Sequence, residues 1–118
     1  ALAGLTACSS LTMSQKDTSR EIEDQAKLML GSTGITAGLA KAGRVSRESC
    51  AEMRAFDATA FNEKITESFT ASVQREVAKG VETAEGQAVR LKFVGKITAI
   101  IAQNANDTLQ VCDAKFGS

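Results

Sequence analysis

Val89-Arg90-Leu91-Lys92-Phe93-Val94-Gly95-Lys96-Ile97-Thr98-Ala99-Ile100-Ile101-Ala102 is the stretch on which the fold class turns. As a strand it puts Val89, Leu91, Phe93, Gly95, Ile97, Ala99 and Ile101 on one face and Arg90, Lys92, Lys96 and Thr98 on the other. As a helix it clusters Val89, Phe93, Ile97, Ile100 and Ile101 and leaves Leu91 opposite them. Both templates fit. β-Branched and aromatic residues dominate the run, Gly95 interrupts it, and Asn104-Ala105-Asn106-Asp107 supplies turn chemistry behind it. These features weight the reading toward a strand, with Thr108 to Phe116 returning as a partner strand that carries Cys112. Gly43 to Cys50 is a weaker third strand.

Upstream of that run, Asp57 or Thr59 opens a helix from about 58 to 79, whose Phe61, Ile65, Phe69, Val73 and Val77 form an unbroken i, i+4 ridge. Glu63 and Glu67 lie near its start, Arg75 and Lys79 near its end, and Gly80 stops it, so periodicity, dipole and cap agree. Thr18-Ser19-Arg20-Glu21 has the form of a capping box and opens a shorter helix over about 19–30, ended by Gly31. Residues 31–43 hold Gly31, Gly34, Gly38 and Gly43 and read as a connection. The GxxxG spacing of Gly34 and Gly38 lacks the apolar twenty-residue frame of a membrane dimer motif. The expected fold is α+β, a small antiparallel sheet packed on one long helix with an extra N-terminal helix. An all-α bundle is the alternative.

The 118 residues and 12.4 kDa give room for one domain. Lys plus Arg total 14 and Asp plus Glu total 14, so no net field draws the chain to nucleic acid or acidic lipid. The absence of His removes Ser-His-Asp and Cys-His catalysis and the usual catalytic zinc sites. A serine nucleophile would need lysine as its base, and no Ser-x-x-Lys occurs in the sequence. Gly31-Ser32-Thr33-Gly34 lacks the Gly-Lys-Ser/Thr ending of a phosphate-binding loop. Glu48 with Glu52, and Glu82 with Glu85, have the spacing of carboxylate pairs but read as solvated surface. Arg44, Arg47 and Arg54 form the densest basic cluster, with acids among them. Neither catalytic residues nor a cofactor, metal or small-molecule substrate is expected.

Three cysteines occur, Cys8, Cys50 and Cys112. Residues 1–8, Ala-Leu-Ala-Gly-Leu-Thr-Ala-Cys, are uncharged and mostly small or apolar, and Leu5-Thr6-Ala7-Cys8 resembles a bacterial lipobox. The resemblance implies cleavage after Ala7, lipid on Cys8 and, with no Asp at position 9, sorting to the outer membrane. If Cys8 carries lipid, Cys50 and Cys112 remain as an even pair in an oxidising compartment, where a disulfide is the default. That bridge would close a loop of about 60 residues and contribute on the order of 4 kcal/mol in the chain-entropy treatment.

Gly43-Arg44-Val45-Ser46-Arg47-Glu48-Ser49-Cys50, followed by an amphipathic helix and a cysteine in the last segment, resembles small disulfide-bonded envelope lipoproteins such as the Rcs-pathway sensor lipoprotein. The expected organisation is a signal remnant over 1–7, a lipidated tether over 8–17 and a single periplasmic domain over 18–118. The expected function is that of a non-catalytic lipoprotein on the periplasmic face of the outer membrane. Its domain would bind an envelope protein partner in an assembly, sensing, immunity or exclusion role. The alternative is a structural subunit, secreted or at the cell surface, that packs into a filament or oligomer through its apolar N-terminus.

Overall fold

A computed structural model describes residues 18–117. It contains helices α1 (Ser19–Lys41), α2 (Arg47–Ala55), α3 (Ala58–Ala78) and α4 (Ala84–Phe116), and no strand among the described residues. The expected α+β fold is therefore corrected to the all-helical alternative. Val89 to Ala102 is the interior of α4, and the expected return strand over Thr108 to Phe116 is the end of the same helix.

Val94 separates the two readings physically, because a strand with its odd residues inward would turn Val94 outward and bury Phe93. The reverse holds: Val94 is 2% exposed and Phe93 44%. The buried set on α4 is Val94, Ile97, Ile101, Ala105, Thr108 and Cys112, at steps of three and four residues. Leu91 also packs against the core, because α4 meets neighbours on two sides and buries an arc wider than one stripe. Gly95 lies on the exposed side, where lacking a Cβ costs only intrinsic helix propensity, about 1 kcal/mol. The polar run 104–107 turns nothing. Gln103 donates to Asp107 at 2.7 Å, Thr108 donates to the Asn104 carbonyl at 2.9 Å, and Asn104 donates to Thr33 on α1 at 3.3 Å.

The first helix is also longer than its local sequence signals. Thr18 accepts from the Glu21 amide at 3.4 Å as its N-cap, but the helix runs through Gly31, Gly34 and Gly38 to Lys41. Thr33, Thr36, Ala37 and Ala40 are all buried, continuing the series begun by Ile22, Ala26 and Met29. Tertiary burial here outweighs the propensity cost of the glycines, which corrects the expected connection over 31–43. A Cβ at Gly34 would stand 3.6 Å from the Asn104 side-chain nitrogen, an ordinary van der Waals contact. The helix ends instead at Gly43, whose φ of 78° lies in the left-handed region. The weak third strand over Gly43 to Cys50 is likewise corrected, because Ser46 and Ser49 form a reciprocal capping box that opens α2. The prediction for α3 holds closely: Asp57 caps it, Phe61, Ile65, Phe69 and Val73 are buried, and Gly80 follows it with φ 76°.

Residue offsets across the contacts give the topology. Ser19 to Arg90 and Thr33 to Asn104 both span 71 residues, and Gly43 to Lys115 spans 72, so α1 and α4 run parallel. Asn62 to Thr98 spans 36 residues and Glu76 to Arg90 spans 14, so α3 runs antiparallel to α4. At 1.5 Å per residue α4 is about 50 Å long, which matches the 52 Å long dimension of the molecule. The shorter α3 and α2 together line its length. Phe69 is fully buried between these helices, and Phe69→Ala is predicted to destabilise the domain by about 3–5 kcal/mol. Urea denaturation checks this, and a loss below about 1 kcal/mol would show that the ring is not a core element.

Candidate functional site

The two ends of the bundle are fastened by different chemistry. At one end α2 lies against the last turns of α4, with Cys50 and Cys112 at a Cα separation of 5.8 Å and their sulfurs at bonding distance. This geometry is consistent with the expected disulfide. Around it pack Ala40, Val45, Val111 and Phe116. Arg54 pairs with Asp113, Lys115 donates to the Gly43 and Val45 carbonyls, and the Arg47 guanidinium lies 4.7 Å from the centre of the Phe116 ring. The basic cluster of Arg44, Arg47 and Arg54 is therefore dispersed, with two of its members engaged locally. Glu48 and Glu52 are exposed on α2. Cys8 and its lipobox lie outside the described residues.

At the other end the start of α1, the end of α3 and the start of α4 meet in a polar clasp. Ser19, 1% exposed, is its hub. Its hydroxyl lies 2.8 and 2.7 Å from the two Glu76 oxygens and 2.7 Å from Arg90 Nη2. A hydroxyl has one proton, so Ser19 donates to Glu76 and accepts from Arg90. Arg90 Nη1 reaches Glu76 at 3.3 Å and Glu82 at 3.0 Å, its Nε lies 3.8 Å from Glu23, and its guanidinium lies 5.3 Å from the Phe69 ring centre. Burial by itself raises the Glu76 carboxyl. The hydrogen bonds from the Ser19 side chain and amide, together with Arg90, more than offset it, so the group titrates below its ordinary value of 4.5. Glu82 is also lowered, chiefly by its hydrogen bond from Arg90.

A recess of about 370 Å³ opens beside the clasp, lined by Ser19, Arg20, Glu23, Glu76, Val81, Glu82 and Arg90. The Ser19, Glu76, Glu82 and Arg90 side chains along its wall bond to one another. The Ser19 oxygen is buried, donating to Glu76 and accepting from Arg90. Among the described residues no group of three or more His, Cys, Asp or Glu side chains is disposed to hold a metal ion. Sequence reasoning did not find the clasp, because its members are up to 71 residues apart and make no local pattern. Its one visible trace was Arg90 inside an apolar run. Glu82, read as surface, belongs to the clasp, whereas Glu85 is exposed in the first turn of α4.

The third feature is a face rather than a cavity. Leu28, Ile35 and Leu39 recur at i, i+7 and i+11 along α1 and are 59%, 68% and 43% exposed. Val89, Phe93 and Ile100 are exposed on α4. The Lys27 ammonium, about 100° round α1 from Leu28, lies 5.5 Å from the Phe93 ring centre. No helix among the described residues is long and apolar enough to cross a membrane. No family model, curated protein or solved structure matches the chain.

The clasp generates a pH prediction. Because the Glu76 carboxyl titrates lower in the folded state than in the unfolded one, its contribution is present in full above about pH 4.5. It is lost as pH falls through the lower, folded-state value. Glu76→Gln is predicted to be less stable than the parent at pH 7 and to lose less further stability on acidification. Parallel acid limbs in denaturation at a series of pH values would show that Glu76 contributes nothing through its charge.

Proposed function

We propose that this protein is a non-catalytic docking module that acts by presenting the outer face of α1 to another protein surface. The observation that carries the reading is the row of Leu28, Ile35 and Leu39 in the open along α1. Solitary exposed apolar residues are ordinary on a soluble surface, whereas a row of them along one helix is a feature of docking faces. The polar groups around Arg90 satisfy one another, which supports a structural and not a catalytic use for them.

The chain is further proposed to reside on the periplasmic face of a bacterial outer membrane, held by lipid on Cys8. Two features support this: Leu5-Thr6-Ala7-Cys8 resembles a lipobox, and the Cys50–Cys112 pairing suits an oxidising compartment. Balanced charge supports anchoring by lipid rather than by attraction to anionic headgroups. The partner would then be an envelope protein, met at the raised local concentration that anchoring provides. A second reading, a structural subunit of an oligomer, draws support from the same exposed face.

Intact-mass measurement on protein from the native host tests the anchor. A diacylglyceryl mass on a chain that starts at Cys8 is expected, and an unmodified chain starting at Ala1 would overturn the lipoprotein reading. Peptide mapping with and without reductant is expected to find Cys50 joined to Cys112, and two free thiols in material from the periplasm would remove the compartment argument.

A further inference from the structure

We infer that residues 43–56, which carry α2, form a strap latched by the Cys50–Cys112 bridge, and that exchange with a dithiol reductant entering at Cys50 opens this end of the bundle while the three long helices stay packed. The inference goes beyond the docking reading and makes no use of the α1 face. It rests on where the bridge sits. The main core is built by α1, α3 and α4 from residues such as Ile22, Met29, Ile65, Phe69 and Ile101, and α2 itself adds only Met53 to it. Cys50 and Cys112 belong to a second, smaller cluster with Ala40 and Val45. Cutting the bridge therefore unfastens the smaller cluster, and the long helices keep their contacts with one another.

Little else holds α2 in place. At nine residues it is too short to persist as a helix on its own, and its buried residues are Cys50 and Met53. It packs chiefly against α4. The Arg54–Asp113 pair is close to half exposed on both sides, where an ion pair contributes little. Lys115 reaches only the Gly43 and Val45 carbonyls, at 3.2 and 3.3 Å. The bridge keeps α2 at a raised effective concentration beside α4, and without it these contacts must hold the strap alone. Both ends of the strap stay rooted when it opens. Gly43 sits in the left-handed turn that closes α1, and the Phe56 ring packs 5.6 Å from that of Phe61 on α3.

The two sulfurs differ in access. Cys112 is fully buried and Cys50 is 5% exposed, so an incoming thiolate meets Cys50 first. It attacks Cys50 Sγ and forms a mixed disulfide as the bond to Cys112 breaks. The electron pair of that bond leaves on Cys112 Sγ, which takes a proton from water. The second thiolate of the reductant then attacks the reductant's own sulfur in the mixed disulfide and releases Cys50, which is protonated in turn. The protein disulfide is reduced by two electrons, and the dithiol is oxidised to its own disulfide. Opening uncovers Val45, Val111 and Phe116, which pack around the bridge. The oxidised and reduced forms thus present different ends to their surroundings.

The test uses the full chain carrying Cys8→Ser, so that Cys50 and Cys112 are its only cysteines. Hydrogen exchange read by mass spectrometry, with dithiothreitol added in the absence of denaturant, is expected to show amides of residues 47–55 exchanging at least about tenfold faster than in the oxidised chain. Those of residues 61–76 are expected to change less than about twofold. Equal acceleration of both segments overturns the inference, because the bridge would then staple the whole fold. Unchanged exchange over 47–55 overturns it as well, because α2 would not depend on the bridge. So does a bridge that dithiothreitol cuts only after denaturant is added, or a pair of free thiols in the chain as isolated. Cys50→Ala combined with Cys112→Ala is expected to reproduce the reduced pattern with an unchanged circular dichroism spectrum. Should that variant fail to fold while the reduced parent keeps residues 61–76 protected, the reduced parent decides. Glutathione, a monothiol, is expected to be trapped on Cys50 with Cys112 as the free thiol, and trapping on Cys112 overturns the route of entry.

Discussion

The parallel contact between α1 and α4 is the constraint on which the other features depend. A helix with three internal glycines has little reason to persist in water, and a 33-residue helix with Gly95 near its middle has only a little more. Each acquires order by burying a three-four stripe against the other and against α3: Ile22, Ala26, Met29 and Thr33 on one side, Val94, Ile97, Ile101 and Thr108 on the other. A constant offset of about 71 residues holds the register from the clasp to the middle of the bundle. Parallel neighbours cannot be joined by a tight turn, so α2 and α3 serve as the return path and as the third wall of the core.

From that arrangement the chemistry of the two ends follows. Parallel α1 and α4 bring two helix N-termini to one end, where backbone amides concentrate positive potential and the Glu23, Glu76 and Glu82 carboxylates gather around Arg90. At the other end the last turns of α4 reach beyond α3, and α2 folds across them with the Cys50–Cys112 pair as the fastening. With both ends closed and the core face of each helix occupied, large apolar side chains stay exposed at Leu28, Ile35 and Leu39 on α1, at Val81 before α4, and at Val89, Phe93 and Ile100 on α4. The docking proposal is thus a residue of the packing: these side chains are apolar where the bundle itself does not need them.

Local signals were legible where they agreed with packing. Phe61, Ile65, Phe69 and Val73 form a ridge that is also the core stripe of α3, and Asp57 and Gly80 bound it as caps should. The signals misled where tertiary burial overrode them. Gly31 has the appearance of a stop and Asn104-Ala105-Asn106-Asp107 that of a turn, but Thr33 and Asn104 bond across the α1–α4 contact and hold both segments helical. The β-branched residues of 89–102 fit a strand template, and Val94, on the wrong face for it, carried the correct answer. A chain with no proline to interrupt a helix gave further reason to prefer the long one. The clasp was out of reach, because a buried Ser19 becomes meaningful only when Glu76 and Arg90 stand beside it.

Backbone chemical shifts measured by NMR across residues 84–116 test the central claim most directly, because every part of the account requires this segment to be one helix. Helical Cα shifts running from Ala84 to Phe116, unbroken at Gly95 and at 104–107, are the predicted result. Extended shifts over Val89 to Ala102 with a turn at 104–107 would contradict it, and with it the parallel pairing, the clasp and the exposed face.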